Sequence, residues 1–100
     1  MQFLVICRPD PGGDPEEFAR LVPFETEKLR ELAAAGTLTG AWNPGPPGRP
    51  GAVLMLEAAD EDETASLIAT LPLVQADLIT TEIIALHPID LSGPQGIPPA

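Results

Sequence analysis

One long helix constrains the fold of this chain more than any other segment, because both of its ends are encoded between Asp14 and Gly36. Asp14 suits the cap of the first turn, Pro15 the first helical position, and Glu17 completes a capping-box pattern. Gly36 follows the last residue of the periodic pattern and indicates where the helix stops. We therefore predict a single helix over this segment.

The predicted helix has a carboxylate within its apolar stripe. At about 100° per residue, these apolar side chains share one side of the helix: Phe18, Leu21, Val22, Leu29, Leu32 and Ala33. Glu25 falls among them. A buried carboxylate is costly unless it is paired or protonated. Glu25 is therefore expected to have either a partner or a raised pKa and a chemical role.

Two neighbouring residues favour a structural interpretation of Glu25 instead. Pro23 removes an internal hydrogen bond, and a kink there would turn Glu25 toward water. Lys28 lies three residues further on and would then hold Glu25 in a weak surface ion pair. The sequence leaves both interpretations open.

Charge and composition exclude several classes of partner. The chain has 100 residues, enough for one domain with a modest core, and its formal net charge is −10. Nucleic acid and anionic membranes would repel such a chain, so we expect neither as a partner. Cys7 and His87, the only residues of their types, give no metal-site spacing. The apolar opening has no basic leader and breaks at Arg8, which favours a cytoplasmic protein.

Shorter patterns predict the other elements. Four segments are expected to be strands: Gln2 to Arg8, Thr37 to Trp42, Ala52 to Ala58 and Leu78 to Leu86. Asp60 and Glu63 repeat the capping-box pattern and start a second helix, which ends near Leu71, before Pro72. The segment from residue 43 to 51, rich in Pro and Gly, is predicted to be a loop.

The element order βαββαβ predicts an α+β fold of the ferredoxin-like type, a four-stranded antiparallel sheet with two helices on one face. We assign residues 1–88 to this domain and residues 89–100 to a Pro/Gly-rich tail that is extended or disordered. The first and third strands have apolar residues on both faces of the sheet, so the face without helices is also expected to be buried against another surface. We expect a homo-oligomer built on a dimer whose sheets face each other.

Several segments together are similar to one known family. They are the opening QFLV, ELAAAGTLTGAW from Glu31 to Trp42, and LPLVQADLITTEIIALHP from Leu71 to Pro88. These segments resemble muconolactone isomerase, most specifically in LPL, in the closing ALHP, and in the spacing of Glu25, Leu32, Gly36 and Trp42. The resemblance implies a subunit of a dimeric α+β barrel that assembles into larger oligomers. It also implies a cofactor-independent proton shift that moves a double bond in an unsaturated lactone.

The resemblance assigns candidate roles to three residues. Glu25 coincides with a Glu on the first helix of the family, Trp42 with an aromatic of the second strand, and His87 with the His of the closing motif. The family has basic residues along the first helix, whereas Val22 and Thr26 stand at those positions here. A substrate carboxylate would lose a charge-assisted contact worth roughly 1.5–3 kcal/mol there.

A proton shift beside a carbonyl needs a base poised near neutral pH. Glu25 fits that role if burial raises its pKa, and His87 is the candidate second proton-transfer group, with a structural role at the strand end as the alternative. Trp42 is expected either to form an aromatic wall of the substrate site or to fill a core or interface. Val22 and Leu29, on the same helix face as Glu25, are the expected apolar substrate contacts.

Two further residues have weaker signals. Arg49 lies in the predicted loop, where it either contacts a substrate oxygen or a neighbouring subunit, or is simply solvated. Cys7 lies inside a predicted strand, which favours inert packing over nucleophilic use.

Three classes of function fit these features. The first is an isomerase or cyclase that acts without a cofactor on a small unsaturated lactone, enone or polyketide-like ring, with Glu25 as general acid/base. The second is a cofactor-independent monooxygenase on a similar barrel, which the absence of Tyr disfavours. The third is a non-catalytic oligomer that binds a small molecule. We favour the first class.

Overall fold

The computed structural model describes residues 1–92 of the chain. Its elements, in order, are β1 (Gln2–Pro9), α1 (Pro15–Ala34), β2 (Leu38–Trp42), β3 (Ala52–Glu57), α2 (Glu61–Ile68), α3 (Pro72–Gln75) and β4 (Ile79–Leu86). The four strands form one sheet in the order β2, β3, β1, β4, and every neighbouring pair is antiparallel. The α+β, ferredoxin-like prediction is therefore confirmed.

α1 begins and ends where the sequence predicts, but the predicted capping box does not close, because the Glu17 carboxylate lies 3.9 Å from Arg20 rather than on the Asp14 N–H. The side chain of Asp14 accepts a hydrogen bond from the Glu16 backbone N–H at 3.0 Å, which caps the first turn. Gly36 adopts a φ of 79°, a left-handed conformation that Gly reaches without steric cost. Pro23 lies inside α1, yet the helix runs without a break to Ala34. The second half of α1 therefore keeps the face that its periodicity predicts.

The core lies between the helices and the inner face of the sheet. Val5 in β1 lies opposite Leu54 in β3, and both are almost completely buried. The buried cluster combines sheet residues with apolar residues of all three helical segments: Val5, Cys7, Leu32, Leu38, Leu54, Leu56, Ile68, Leu71, Leu73, Leu78 and Ile79. All three helices therefore pack on the same face of the sheet.

The short helix α3 was not predicted. We expected the second helix to reach about Leu71, but α2 ends at Ile68, and Pro72 begins a separate four-residue helix. The fixed φ of Pro suits the first position of a helix as well as the region after a helix end. α3 is closed by Asp77, which has a φ of 56°, and the chain then enters β4.

The outer face of the sheet has no helix over it in the described part of the chain. Leu4 and Ile6 of β1 and Val53 and Met55 of β3 lie on this face and are only partly buried. Trp42 lies opposite Val53 in the register and is 56% exposed. The sheet therefore has two apolar faces, of which the subunit covers one.

The chain after β4 has no helix or strand as far as residue 92. The domain boundary at residue 88 stays a prediction, and the predicted tail after residue 92 lies outside the described residues. No helix within residues 1–92 combines the length and the apolar character that crossing a membrane requires.

Candidate active site

A cavity of about 240 Å³ lies between α1 and the inner face of the sheet. Most of its wall is apolar, and these residues line it: Cys7, Phe18, Val22, Glu25, Thr26, Leu29, Asn43, Arg49, Pro50, Gly51, Ala52, Leu54, Leu73 and Ile79. Ligand sites typically have volumes of about 300–1,000 Å³. This cavity therefore suits a molecule of roughly one ring.

Glu25 lies on the buried face of α1 and is only 9% exposed. Its Oε1 accepts a hydrogen bond from the backbone N–H of Leu73 at 3.1 Å. Pro72 has no N–H, so Leu73 provides the first backbone donor of α3. The carboxyl group thereby ties α1 to α3, which are otherwise distant in sequence.

The surface ion pair that the sequence allowed for Glu25 does not form. Lys28 is directed to Glu31, with 3.4 Å between Nζ and Oε2. Of the two interpretations, the structure therefore contains the buried carboxylate with a partner, and that partner is a backbone amide rather than a cation.

The second oxygen of Glu25 faces the cavity. Within residues 1–92, every completely buried side-chain oxygen or nitrogen has a hydrogen-bond partner. The bond from Leu73 ends on Oε1, and no side chain of the described residues donates to Oε2. Because Oε2 has no hydrogen-bond partner within residues 1–92, it is not among the completely buried atoms, and Glu25 itself lines the cavity. One oxygen is therefore fixed, and the other is accessible to a bound molecule.

Burial raises the pKa of Glu25 above its ordinary value, and the hydrogen bond from Leu73 offsets this only in part. Burial, and secondly the charge of Glu25, raise the pKa of the neighbouring Cys7 thiol to about 11. The thiol is therefore protonated at neutral pH and is a poor nucleophile, as the packing interpretation expects. Of these two groups, Glu25 is the better candidate for proton transfer, because burial moves its pKa upward from the acidic range whereas the Cys7 pKa moves further from neutrality.

The other residues of the cavity wall determine the shape of the cavity and offer no further general acid or base. Val22 and Leu29 line it on either side of Glu25, along the same helix face. Thr26 also lines it, but its hydroxyl donates to the backbone carbonyl of Val22 at 3.0 Å and is therefore engaged. Arg49 reaches the cavity from the loop between β2 and β3. A loop thus places one cationic side chain at the cavity.

A scan of protein-family models matches residues 1–90 to muconolactone delta-isomerase. The chain belongs to the muconolactone delta-isomerase family. This match confirms the resemblance stated from the sequence, and it covers all seven elements of the fold. A search of curated proteins found no match to the chain.

Two solved structures share the fold of this family member. A crystal structure of muconolactone isomerase superposes with a TM-score of 0.72 at 21% sequence identity, covering 92% of this chain and 94% of the other. A 5-chloro-2-hydroxyhydroquinone dehydrochlorinase from Burkholderia phenoliruptrix, in complex with 2,5-dihydroxybenzoquinone, superposes with a TM-score of 0.71 at 21% identity, covering 87% and 94%. At such identity these structures establish the shared fold.

In this family member, two of the six predicted site residues lie away from the cavity. Trp42 is on the outer face of the sheet, whereas the cavity is on the inner face. Ile79 at the start of β4 lines the cavity, whereas His87 follows the other end of the strand. The seven residue steps from Ile79 to Leu86 span roughly 23 Å at about 3.3 Å per step. A role for Trp42 or His87 in this cavity stays a prediction that requires a contribution across a subunit contact.

Sequence reasoning did not find three of the groups that shape the cavity: the Leu73 N–H, Asn43 and the cavity-facing position of Cys7. The segment LPL contained a usable signal, because Pro at the first helical position leaves the next residue with a free N–H. Asn43 and Cys7 had no such local signal. Within residues 1–92, no three His, Cys, Asp or Glu residues are grouped so that they could hold a metal ion.

Proposed function

We propose that this protein is a cofactor-independent isomerase or cyclase in which Glu25 moves a proton on a small unsaturated lactone, enone or polyketide-like ring. The observation that supports this most is the environment of Glu25. It is a buried carboxyl group in a mostly apolar cavity, with Oε1 held by the Leu73 N–H and Oε2 accessible. Membership of the muconolactone delta-isomerase family supports the reaction class.

The proposed reaction is a proton transfer in two steps at one carboxylate. Glu25 Oε2 removes a proton from a carbon beside the substrate carbonyl, and the C–H electron pair moves into a C=C bond while the carbonyl oxygen becomes an enolate. The protonated carboxyl then returns the proton to another carbon of the conjugated system, where a new C–H bond forms and the carbonyl is restored. A raised pKa suits this cycle, because it makes the carboxylate a stronger base near neutral pH.

The Leu73 N–H has a defined part in this cycle. It hydrogen-bonds the same oxygen whether the carboxyl group is charged or neutral, because a protonated carboxyl retains an acceptor oxygen. The side chain therefore stays in one orientation while its other oxygen gains and loses the proton. This preorganisation holds the base in a fixed position relative to the C–H bond of the substrate.

The two similar structures support a proton-transfer chemistry of this kind. One is described as an isomerase and the other as a dehydrochlorinase with a bound quinone. Loss of hydrogen chloride, like a double-bond shift, requires removal of a proton from the substrate. A ring of quinone size also agrees with a cavity of about 240 Å³.

We also propose that the outer face of the sheet packs against the same face of a second copy. The apolar residues Leu4, Ile6, Val53 and Met55 occupy the middle of a sheet and are nevertheless only partly buried. The ion pair between Arg8 and Glu82, 3.2 Å long, lies at the rim of this face. An apolar centre with a charged rim is the usual pattern of a subunit contact.

Trp42 makes this assembly measurable, because it is the only Trp of the chain and lies half-exposed on the proposed interface. Dilution should shift the Trp fluorescence to longer wavelength as the dimer dissociates, in step with the mass from light scattering. A monomeric mass at micromolar concentration would contradict the proposed dimer.

Solvent exchange tests the proposed reaction. The protein should be incubated in D₂O with muconolactone and with a panel of unsaturated lactones and enones, while an electrode records oxygen. We expect deuterium to enter at least one substrate without oxygen consumption, and Glu25→Gln to lower that rate by about 10²- to 10⁴-fold. Oxygen consumption coupled to turnover would instead support the monooxygenase, and ligand-induced stabilisation without exchange would support the non-catalytic binder.

A matched variant controls for the change of charge. Glu27 lies two residues from Glu25 on the same helix but is exposed and pairs with Arg30 at 3.5 Å. Glu27→Gln removes the same charge and should exchange at the wild-type rate. If Glu25→Gln also exchanges at the wild-type rate while remaining folded, Glu25 is structural and the proposal is wrong.

A further inference from the structure

The cavity contains a second buried group that can form hydrogen bonds, the thiol of Cys7. Cys7 lies on the inner face of β1, two residues after Val5, and is only 4% exposed. It lines the cavity together with Glu25, which is 9% exposed and has Oε2 without a partner in the described part of the chain. No hydrogen bond joins the Cys7 thiol to a protein acceptor within residues 1–92. Both groups are therefore available to a bound molecule.

The other hydrogen-bond donors of the cavity wall are less suited to a buried ligand atom. Thr26 donates its hydroxyl to the Val22 carbonyl at 3.0 Å. Asn43 and Arg49 line the cavity but are exposed to solvent, where water competes for their donors. Cys7 is thus the one cavity-lining donor of the described residues that is both buried and without a protein acceptor.

The sheet holds Cys7 in a fixed place. In the register of the strands, Cys7 lies between Ala52 of β3 and Thr81 of β4. Gly51 precedes β3 with a φ of 113°, and a Cβ there would lie 3.0 Å from the Cys7 carbonyl oxygen. The missing side chain lets the chain before β3 approach the backbone of Cys7 closely. The thiol therefore faces the cavity from a rigid strand, while Glu25 faces it from α1.

We propose that the Cys7 thiol donates a hydrogen bond to the substrate carbonyl oxygen while Glu25 removes the proton from the adjacent carbon. This inference rests on the proposed function and adds Cys7 as a second catalytic residue. The C–H electron pair moves into the new C=C bond, negative charge develops on the carbonyl oxygen, and the thiol keeps its proton throughout. A fixed donor aimed at developing charge in a site shielded from water stabilises the transition state more than the bound substrate.

The protonation state of Cys7 suits a donor and not a nucleophile. Burial, and secondly the charge of Glu25, raise the pKa of the thiol to about 11, so it carries its proton at neutral pH. A thiol is a weaker donor than a hydroxyl group. Ser at position 7 should therefore preserve the contact, whereas an apolar side chain should abolish it.

The S–H stretching band in the infrared spectrum tests the contact in the wild-type protein. The chain has one Cys, so the band has a single source, in a region where other protein groups absorb little. The probes are 2(5H)-furanone, a one-ring unsaturated lactone, and 2,5-dihydrofuran, a ring of the same size without the carbonyl. Furanone is already the conjugated isomer, so proton exchange returns the same molecule. We expect furanone to move the band to lower wavenumber and dihydrofuran to leave it in place.

Exchange of the furanone ring protons in D₂O, followed by NMR, tests the contribution to rate. The variants are Cys7→Ser, Cys7→Ala and Cys7→Val, with Tm measured for each. We expect Cys7→Ala and Cys7→Val to lower kcat by about 10- to 100-fold with a smaller change in KM, because the bond strengthens as charge develops. Cys7→Ser should retain most of the wild-type rate. A packing role predicts the reverse order, because Val fills the space with apolar atoms whereas Ser buries a more polar group.

The inference is overturned if furanone leaves the S–H band unchanged, if Cys7→Val exchanges faster than Cys7→Ser, or if all three variants exchange at the wild-type rate. Failure of the proposed function looks different. Exchange would then be absent or independent of Glu25, while furanone would still move the S–H band and dihydrofuran would not.

Discussion

Replacement of Glu25 by Gln and by Ala should separate its structural and chemical roles. The amide oxygen of Gln can accept the hydrogen bond that Leu73 donates to Oε1 at 3.1 Å, whereas Ala leaves that buried N–H without a protein partner. Both substitutions remove the ionisable group. The stability difference between the two variants therefore reports the bond to α3, and their shared loss of activity reports the base.

The magnitude follows from the environment of the bond. A buried donor left without an acceptor costs about 1–3 kcal/mol. In a domain of this size, 1 kcal/mol changes Tm by about 4–8 °C. We therefore expect Glu25→Ala to unfold at least about 4 °C below Glu25→Gln.

The difference in the free energy of unfolding between wild type and Glu25→Gln should change with pH in one direction. Burial raises the pKa of Glu25 in the folded protein, so the folded state holds the proton more tightly than the unfolded chain does. The contribution of Glu25 to the free energy of unfolding is therefore most favourable at low pH, falls as pH rises from the ordinary Glu value through the folded value, and then levels off. Because residue 25 cannot titrate in Glu25→Gln, this variant should gain stability relative to wild type as pH rises through that interval.

Thermal unfolding measures the difference in Tm, and urea unfolding at a series of pH values measures the pH dependence, both followed by far-ultraviolet circular dichroism. All three proteins should be compared at one protomer concentration, because assembly contributes to apparent stability. The reasoning is refuted if Glu25→Ala is as stable as Glu25→Gln, or if wild type gains on Glu25→Gln as pH rises.

Two further predictions concern other parts of the fold. Asp77 has a φ of 56°, so Asp77→Gly should be more stable than Asp77→Ala by about 1 kcal/mol in urea unfolding; equal stability would mean that the left-handed turn is not enforced. The Cys7 thiol, with its pKa raised to about 11, should react with iodoacetamide at pH 7 far more slowly than a free thiol does. In Glu25→Gln this reaction should be faster at the same pH, because the charge that raises the Cys7 pKa is gone; an unchanged rate would show that the two groups are not coupled.

The sequence predicted the sheet and α1 well because both rest on local signals. Asp14 and Gly36 mark the ends of α1, and the 3.6-residue period places Glu25 on the buried face despite Pro23. The period of two in β1 and β3 likewise predicted two apolar faces. These patterns repeat along the chain, so that a single wrong residue does not change the result.

The parts that escaped prediction depend on contacts between distant segments. The helix α3 has four residues, too few for any periodicity, and Pro72 is equally compatible with a helix end and a helix start. The bond from Leu73 to Glu25 spans 48 positions. Unbroken alternation in β2 would place Trp42 on the same face as Leu38. The register instead shifts between Leu38 and Gly40, so Leu38 lies in the core and Trp42 on the outer face, and no local sequence signal marks that shift.

The position of Arg49 follows from loop geometry rather than from residue type. A loop of Pro and Gly has no periodicity, and the positive φ of Gly45 that lets Arg49 fold back is visible only in the structure.

For His87, the residue could be identified from the sequence but its location could not. A motif shared with a family identified it, while its location at the far end of β4 required the sheet register.

Titration of the Glu25 side-chain carboxyl by ¹³C NMR tests the central claim most directly, with Glu25→Gln providing the assignment. If the carboxyl group is a buried base poised for proton transfer, its resonance should titrate above the ordinary Glu range, and ligand in the cavity should shift it. A titration at or below the ordinary Glu value, unaffected by any ligand that binds the protein, would contradict the account.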